Sequence, residues 1–186
     1  SDGVTSRTDI GSNEIEIRKQ AKKYACNILS IVQPTRFLGF PDNRMDTVAL
    51  LDIVQALEKV INEIEPEVIY THHIGDLNID HRITHKAVIT ACRPQPGFCV
   101  KEIYAFEVLS STEWQTPGVK AFYPNVFVDI ADYIDFKKQA LEAYFEEMRQ
   151  SPHSRSIDNA IRLNALRGNT VGLDYAEAFM LLRKIK

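Results

Sequence analysis

The sequence predicts an α/β domain built on a largely parallel sheet, and three observations predict it. Segments of helical periodicity alternate with short apolar stretches of strand length. Proline and glycine clusters punctuate most of the changes of period. Two chemically rich loops, "PDNRMD" and "HIGDLNIDH", each follow an apolar stretch, and open α/β sheets bind ligands beyond the carboxyl ends of their strands.

Residues 1–12, "SDGVTSRTDIGS", are polar and turn-forming and read as a loop. Asn13 suits a helix N-cap, with Glu14 and Glu16 at the positive helix end. Ile17, Ala21, Tyr24, Ala25, Ile28 and Leu29 then recur at helical spacing up to Ile31, and Pro34 is the expected stop. "RFLGF" (36–40) reads as a buried strand. An amphipathic helix from about Thr47 to Ile64 carries Leu50, Val54, Leu57 and Ile61 and ends before Pro66. "EVIYTH" (67–72) is a strand, followed by a helix from about His81 to Cys92 that "RPQPG" closes. "KEIYAFEV" (101–108) and "NVFVDI" (125–130) are strands, and 135–149 and 156–167 are helical. "YAEAFMLL" is ambiguous, but the breaks at Arg167-Gly168 and "NTVGLD" favour a strand. The helices at 13–31 and 47–64 are expected to cover the sheet.

The chain has 186 residues, enough for one domain around a single core. Its net charge of −3 supplies no basic field for nucleic acid. No apolar run has the length of a membrane span, and no secretory signal is visible. Cys26, Cys92 and Cys99 form no CxxC pair, which fits reduced thiols in a cytoplasm. The first residue is Ser1 rather than methionine, so the expectation is a processed chain or a piece of a longer one.

Residues 70–87, "YTHHIGDLNIDHRITHKA", hold His72, His73, His81 and His85, four of the five histidines, together with Asp76, Asn78 and Asp80. Catalytic zinc takes three ligands of this kind, neutral imidazole or carboxylate, and leaves a position for water. His81 and His85 are four apart and share a helix face. The spacing is that of the ligands in HExxH, but here the stretch is His-Arg-Ile-Thr-His without the glutamate. Taken alone, this pattern is also that of a polar loop entering a helix with one exposed and one packed histidine.

The longer string "THHIGDLNIDHRITHKAVITACRP" resembles the PIG-L/LmbE-like N-deacetylases, zinc hydrolases that remove acetyl groups from N-acetylated sugars and related amines. "SDGVTSR", "EIRKQAKKYACNIL", "LGFPDNRMD", "EVLSSTEW", "YPNVFVDI", "SPHSRS" and "RGNTVGLDYAEAF" are similar to further blocks of that family, so the resemblance spans nearly the whole chain. It implies a Rossmann-like layered fold. It implies His81 as a zinc ligand, with Asp80 beside it orienting the imidazole. Arg18 and Asp42 correspond to substrate contacts. Many members carry a histidine two residues before the Asp-His pair. Asn78 occupies that place here and is expected to face the substrate. The oxyanion-stabilising imidazole is then sought among His72, His73 and His85, with His153 as a further candidate. Trp114 or Tyr123 are candidates to stack on a sugar ring.

The family's His-Pro-Asp-Asp motif, which supplies two zinc ligands and the general base, has no match in this sequence. The opening strand–helix portion is therefore expected upstream of Ser1, with residues 1–186 forming one N-terminally incomplete domain. The implied activity is zinc-dependent hydrolysis of an N-acetylated amino sugar or sugar conjugate, with this chain alone catalytically incomplete. The alternative is a non-catalytic sugar-binding or assembly relative. Either form is open to homo-oligomerisation.

Overall fold

The computed structural model describes residues 14–32 and 35–186. The loop expected at 1–12, the Asn13 cap and the Pro34 stop lie outside them. The chain divides into two compact units. One comprises Leu38–Val126 and Ala178–Lys186, the other the described residues up to Phe37 with Phe127–Glu177. The described strands form a four-stranded sheet of order β1-β2-β4-β3, from β1 (Val68–His72), β2 (Glu102–Phe106), β3 (Val126–Asp129) and β4 (Ala176–Lys184). The α/β class is as the sequence predicts, but the sheet is mixed rather than mostly parallel among these strands. β1 and β2 run parallel, whereas β2 and β4 are antiparallel. β3 also meets β4 antiparallel, through Asn125 N–H to Phe179 O and Ile130 N–H to Tyr175 O.

In the first unit, α2 (Leu50–Ile64) packs on α3 (Ile79–Ala91), and α3 packs on β1. Met45, Ile53, Val54, Ile61, Ala87, Val88, Ala91, Cys92, Val100 and Ile103 form the buried cluster between them. α2 ends at Glu65, whose left-handed backbone returns an N–H to Ile61 O just before Pro66. β4 is a strand because β2 gives it a partner. Lys184 pairs with Glu102 at 2.8 Å, and Phe179 meets the ring of Tyr70 with centroids 5.0 Å apart.

"RFLGF" is not a strand. Gly39 has φ +74, which interrupts extended geometry, and Phe37 and Leu38 are exposed with no described strand beside them. The chain passes from one unit to the other at this point.

In the second unit, α1 (Glu14–Ile28) packs on α4 (Ile134–Glu142), and α4 on α5 (Ile157–Asn169). α1 therefore covers a helix, whereas α3 and its partner α2 lie over the strands of the first unit. α1 ends in a Schellman turn: Ser30 adopts φ 53, Ile31 N–H bonds Cys26 O and Ser30 N–H bonds Asn27 O. Asn164 binds α5 to β4 by donating Nδ2–H to Ala176 O.

β1 is a sheet edge. Val68 and Tyr70 are exposed on it, and an apolar groove of about 320 Å³ runs alongside, lined in part by Leu57, Ile61, Ile64, Ile69 and Val88. A bare edge above an apolar groove promotes self-association. Val68 stands opposite Glu102 in the parallel register, so a lysine there adds an edge charge facing a carboxylate. Val68→Lys is expected to reduce concentration-dependent association in sedimentation velocity, with stability changed by about 0.5 kcal/mol or less. Unchanged association in the variant would place the sticky surface elsewhere.

No helix among the described residues is long and apolar enough to cross a membrane.

Candidate functional site

The histidine loop leaves β1 at His72 and enters α3 at Ile79, so it sits at the carboxyl end of β1. Asn78 caps α3. Its Oδ1 accepts the Asp80 N–H at 2.8 Å and the His81 N–H at 3.4 Å, satisfying two donors that a helix start otherwise leaves open. Its Nδ2–H donates to Asn43 Oδ1 at 3.1 Å, which binds "PDNRMD" to the histidine loop. Asp42 lies in that first loop, and its Oδ2 accepts from Asn43 Nδ2 at 3.2 Å. Asp42 and His81 therefore occupy the same end of the first unit's strands.

The Asp80 carboxylate is engaged by the preceding loop. Its Oδ2 accepts the Asn43 N–H at 2.6 Å and its Oδ1 the Met45 N–H at 3.0 Å. The carboxylate beside His81 is that of Asp76, whose Oδ1 lies 3.1 Å from His81 Nδ1. That approach falls short of hydrogen-bond geometry, and among the described residues no acceptor bonds the nitrogen. We assign Asp76 as its partner because the nitrogen is buried and this charge is adjacent. Asp76 is fully buried. It also accepts the Asn78 N–H at 2.9 Å, the Thr112 hydroxyl at 2.9 Å and the Ser111 hydroxyl. Burial opposes its charge, but the bonds from His81, Ser111 and Asn78 outweigh it and hold the carboxyl down at about 2. The stability this carboxylate contributes is present above the ordinary carboxylate range and is lost as pH falls toward 2.

The His72 ring stacks on His81, with centroids 4.1 Å apart. Burial above all pushes His72 down to about 4, so its ring is neutral at physiological pH. His85 is nearly buried and donates Nδ1–H to the His72 carbonyl at 2.8 Å, fastening α3 to the end of β1. Burial lowers its pKa, against the hydrogen bond to that carbonyl. His73 is buried and donates Nε2–H to Lys120 O at 2.9 Å, with Phe122 edge-on to its ring. Both His73 and His85, the candidates for oxyanion stabilisation, thus spend one ring nitrogen on a backbone carbonyl. Gln115 completes the frame by donating to Gly75 O at 2.6 Å and Asp76 O at 3.0 Å.

In the second unit, Arg18 pairs with Glu147 at 2.8 Å, and Arg155 approaches the other oxygen of Glu147 at 3.8 Å. His153 accepts the Arg155 N–H at 2.9 Å as a turn cap. Trp114 and Tyr123 each expose more than half of their surface.

Sequence reasoning placed Asp76 in the histidine cluster but did not pair it with His81, and it did not connect Ser111 and Thr112 of "SSTEW" to Asp76. Two signals for Asp76 were present. Adjacent helix positions do not face one another, so Asp80 and His81 diverge. The Gly-Asp-Leu-Asn run also suits an aspartate that bonds the N–H two residues on.

The zinc that the family resemblance implies does not fit the described residues by themselves. Among them no group of three or more His, Cys, Asp or Glu side chains is placed to hold a metal ion. His81 offers one imidazole. The oxygens of Asp76 and Asp80 are already engaged by hydrogen-bond donors.

Comparison with known proteins gives two findings. The chain is similar in fold to a conserved protein of Thermus thermophilus, with TM-score 0.74 and 21% identity over 96% of this chain and 78% of that one. It is similar to the N,N′-diacetylchitobiose deacetylase of Pyrococcus horikoshii (TM-score 0.72, 16% identity, 96% and 68% covered). The 4-carboxy-2-hydroxymuconate hydratase of Pseudomonas putida has the same fold (TM-score 0.69, 22% identity, 97% and 77% covered). A deacetylase and a hydratase share this architecture, so the fold alone does not set the reaction. The second finding is at the level of sequence. Residues 1–92, from the first polar stretch through the histidine loop to the end of α3, match the family model described as GlcNAc-PI de-N-acetylase. The PIG-L family is thus the one that the amino-terminal stretch of this chain, residues 1–92, matches.

Proposed function

We propose that this chain is the substrate-facing portion of an N-deacetylase that hydrolyses the acetamide of an amino sugar or sugar conjugate. Water adds to the acetyl carbonyl, the C–N bond breaks, a proton passes to the leaving nitrogen, and acetate and a free amine result. The observation that carries this reading is the meeting of His81, the Asp76 carboxylate and the Asp42 loop at one strand end, within the residues that match the de-N-acetylase family model.

In this reading His81 is a metal ligand, and Asp42 and Asn78 lie on the sugar side. Arg18 is a further substrate contact, and His73 or His85 stabilises the oxyanion with its remaining ring nitrogen. Asp80 serves the site by holding its loop. The family match over residues 1–92 supports zinc as the cofactor. No step is assigned to zinc, because the described residues do not build its centre. Cys26, Cys92 and Cys99 are all free thiols, which supports a reducing, cytoplasmic setting.

The test measures acetate release from N-acetylglucosamine derivatives, with zinc content determined on the same samples. Two forms are compared: residues 1–186, and the same chain extended upstream by a segment carrying His-Pro-Asp-Asp. The expected result is zinc retention and turnover in the extended form alone. A rate for the 186-residue chain lower by at least about 10²-fold accords with loss of a general base. His81→Ala in the extended form is expected to remove both zinc and turnover. Sugar binding by the extended form without acetate release or zinc would replace the hydrolase by a non-catalytic sugar-binding relative. Equal turnover by both forms would place a complete centre within residues 1–186.

A further inference from the structure

We propose that Asp76, held by the hydroxyls of Ser111 and Thr112, is a positioning residue that fixes the His81 ring in its Nδ1–H form and reserves Nε2 as the lone-pair nitrogen. The inference rests on the functional reading above only for what Nε2 is then used for.

The direction of each hydrogen bond around Asp76 is determined by its neighbours. Thr112 Oγ1 accepts the Val108 N–H at 2.7 Å, which leaves its own proton for Asp76 Oδ2. Ser111 Oγ accepts the Asn78 N–H at 3.3 Å and likewise gives its proton to Asp76 Oδ1. Asn78 N–H is itself a donor to that same oxygen. Two hydroxyls and one amide therefore all point protons at one carboxylate, which is bound as an ionised, acceptor-only group. His81 Nδ1 lies 3.1 Å from it in a buried position. A lone pair there would face a buried negative charge, whereas an N–H gives the carboxylate a further donor. The ring is also held on one face by His72. Ser111 and Thr112 come from the segment after β2, so the orientation of a residue on α3 is set by a turn about thirty positions further along the chain. This gives "SSTEW" a role: Glu113 accepts the N–H groups of Ser110 and Ser111 and keeps that turn in shape. An imidazole gains a fixed tautomer and a more basic free nitrogen from such a partner.

The experiment is long-range ¹H–¹⁵N correlation NMR of the histidine rings in the metal-free 186-residue chain at neutral pH, on wild type and Asp76→Asn. Wild-type His81 is expected as the Nδ1–H tautomer. In folded Asp76→Asn that single tautomer is expected to be lost, while His85, which donates Nδ1–H to the His72 carbonyl, keeps its own. His81 as Nε2–H in wild type overturns the inference, and so does an unchanged Nδ1–H tautomer in folded Asp76→Asn. If Asp76→Asn does not fold, the wild-type tautomer decides alone: Nδ1–H supports the inference and Nε2–H overturns it. This readout does not depend on turnover. An Nδ1–H His81 in a protein that never releases acetate would overturn the deacetylase reading and support this one.

Discussion

Gly75→Ala is expected to lower the melting temperature by roughly 5–15 °C, taking a loss of about 2–5 kcal/mol and a few degrees per kcal/mol for a chain of this size. A Cβ at this position would stand 1.9 Å from Lys120 O, 2.7 Å from His73 Nε2 and 3.0 Å from the Lys120 carbonyl carbon. Two of these three atoms are backbone, so no side-chain rotation relieves the overlap. The nearest of them is the acceptor for His73 Nε2–H. Moving the Lys120 carbonyl away breaks that bond and leaves a buried imidazole with neither nitrogen paired, since among the described residues His73 Nδ1 already has no partner. The glycine is thus required by a close approach rather than by a special backbone angle. The consequence is wider than one bond. Gly75 O and Asp76 O both receive Gln115, so the same displacement loosens the segment that carries Asp76. Differential scanning calorimetry together with hydrogen exchange at residues 73–78 checks this. A melting temperature within about 2 °C of wild type would mean that Lys120 does not press on Gly75.

The parts of this molecule that were legible in the sequence are those decided by local patterning. α2 and α3 announce themselves through apolar spacing and their terminators, and β1 and β2 through apolar runs between breaks. β4 was legible as well, although its residues alone fit either period. The breaks before it removed the helix, and its pairing with β2 then supplies the stability that its sequence does not. "RFLGF" shows the converse. Its composition suits a strand, but a strand exists only where a neighbour offers a ladder, and Gly39 turns the chain out of extended geometry. The orientation of the sheet was likewise invisible, because which strand lies beside β2 is a long-range matter. In the site, the cluster of histidines and its place at a strand end were readable. The direction in which each carboxylate points was not. Asp80 is adjacent to His81 in sequence, yet its oxygens accept the Asn43 and Met45 N–H groups, because successive helix positions diverge. Asp76 is five residues earlier and reaches the ring because the Asn78 cap folds the loop back on itself. Asn78 reads as a substrate contact from its place in the family pattern, and the cap it makes for α3 and its bond to Asn43 were not legible beside that reading.

The division of labour between the two aspartates gives the second large effect. Asp80→Asn is expected to release the loop at 42–45 while leaving the His81 ring in place. Asp80 presents two oxygens to two backbone N–H groups, those of Asn43 and Met45. An asparagine of the same shape offers one oxygen and one NH2. Whichever way it sits, one N–H faces another donor and loses its partner. The loss is costly at both positions, for different reasons. Met45 is buried, so its amide has no water to turn to. Asn43 has φ 51, a left-handed conformation that the loop adopts with this bond as support. Each charge-assisted bond is worth about 1.5–3 kcal/mol, and an orphaned buried donor adds about 1–3, so a total near 3–5 kcal/mol is the expected order. Amide exchange at Asn43 and Met45 should accelerate by roughly 10²-fold or more, which is the factor that about 3 kcal/mol of lost protection produces. The tautomer of His81 should be unaltered, because Asp76 and not Asp80 is its neighbour. A protein with full deacetylase activity would show the same separation: Asp80→Asn loosens the rim that carries Asp42 and raises KM, whereas Asp76→Asn disturbs His81 and lowers kcat. If Asp80→Asn instead changes the His81 ring resonances and leaves exchange at residues 43 and 45 untouched, Asp80 acts on the imidazole and the assignment of the two carboxylates must be reversed.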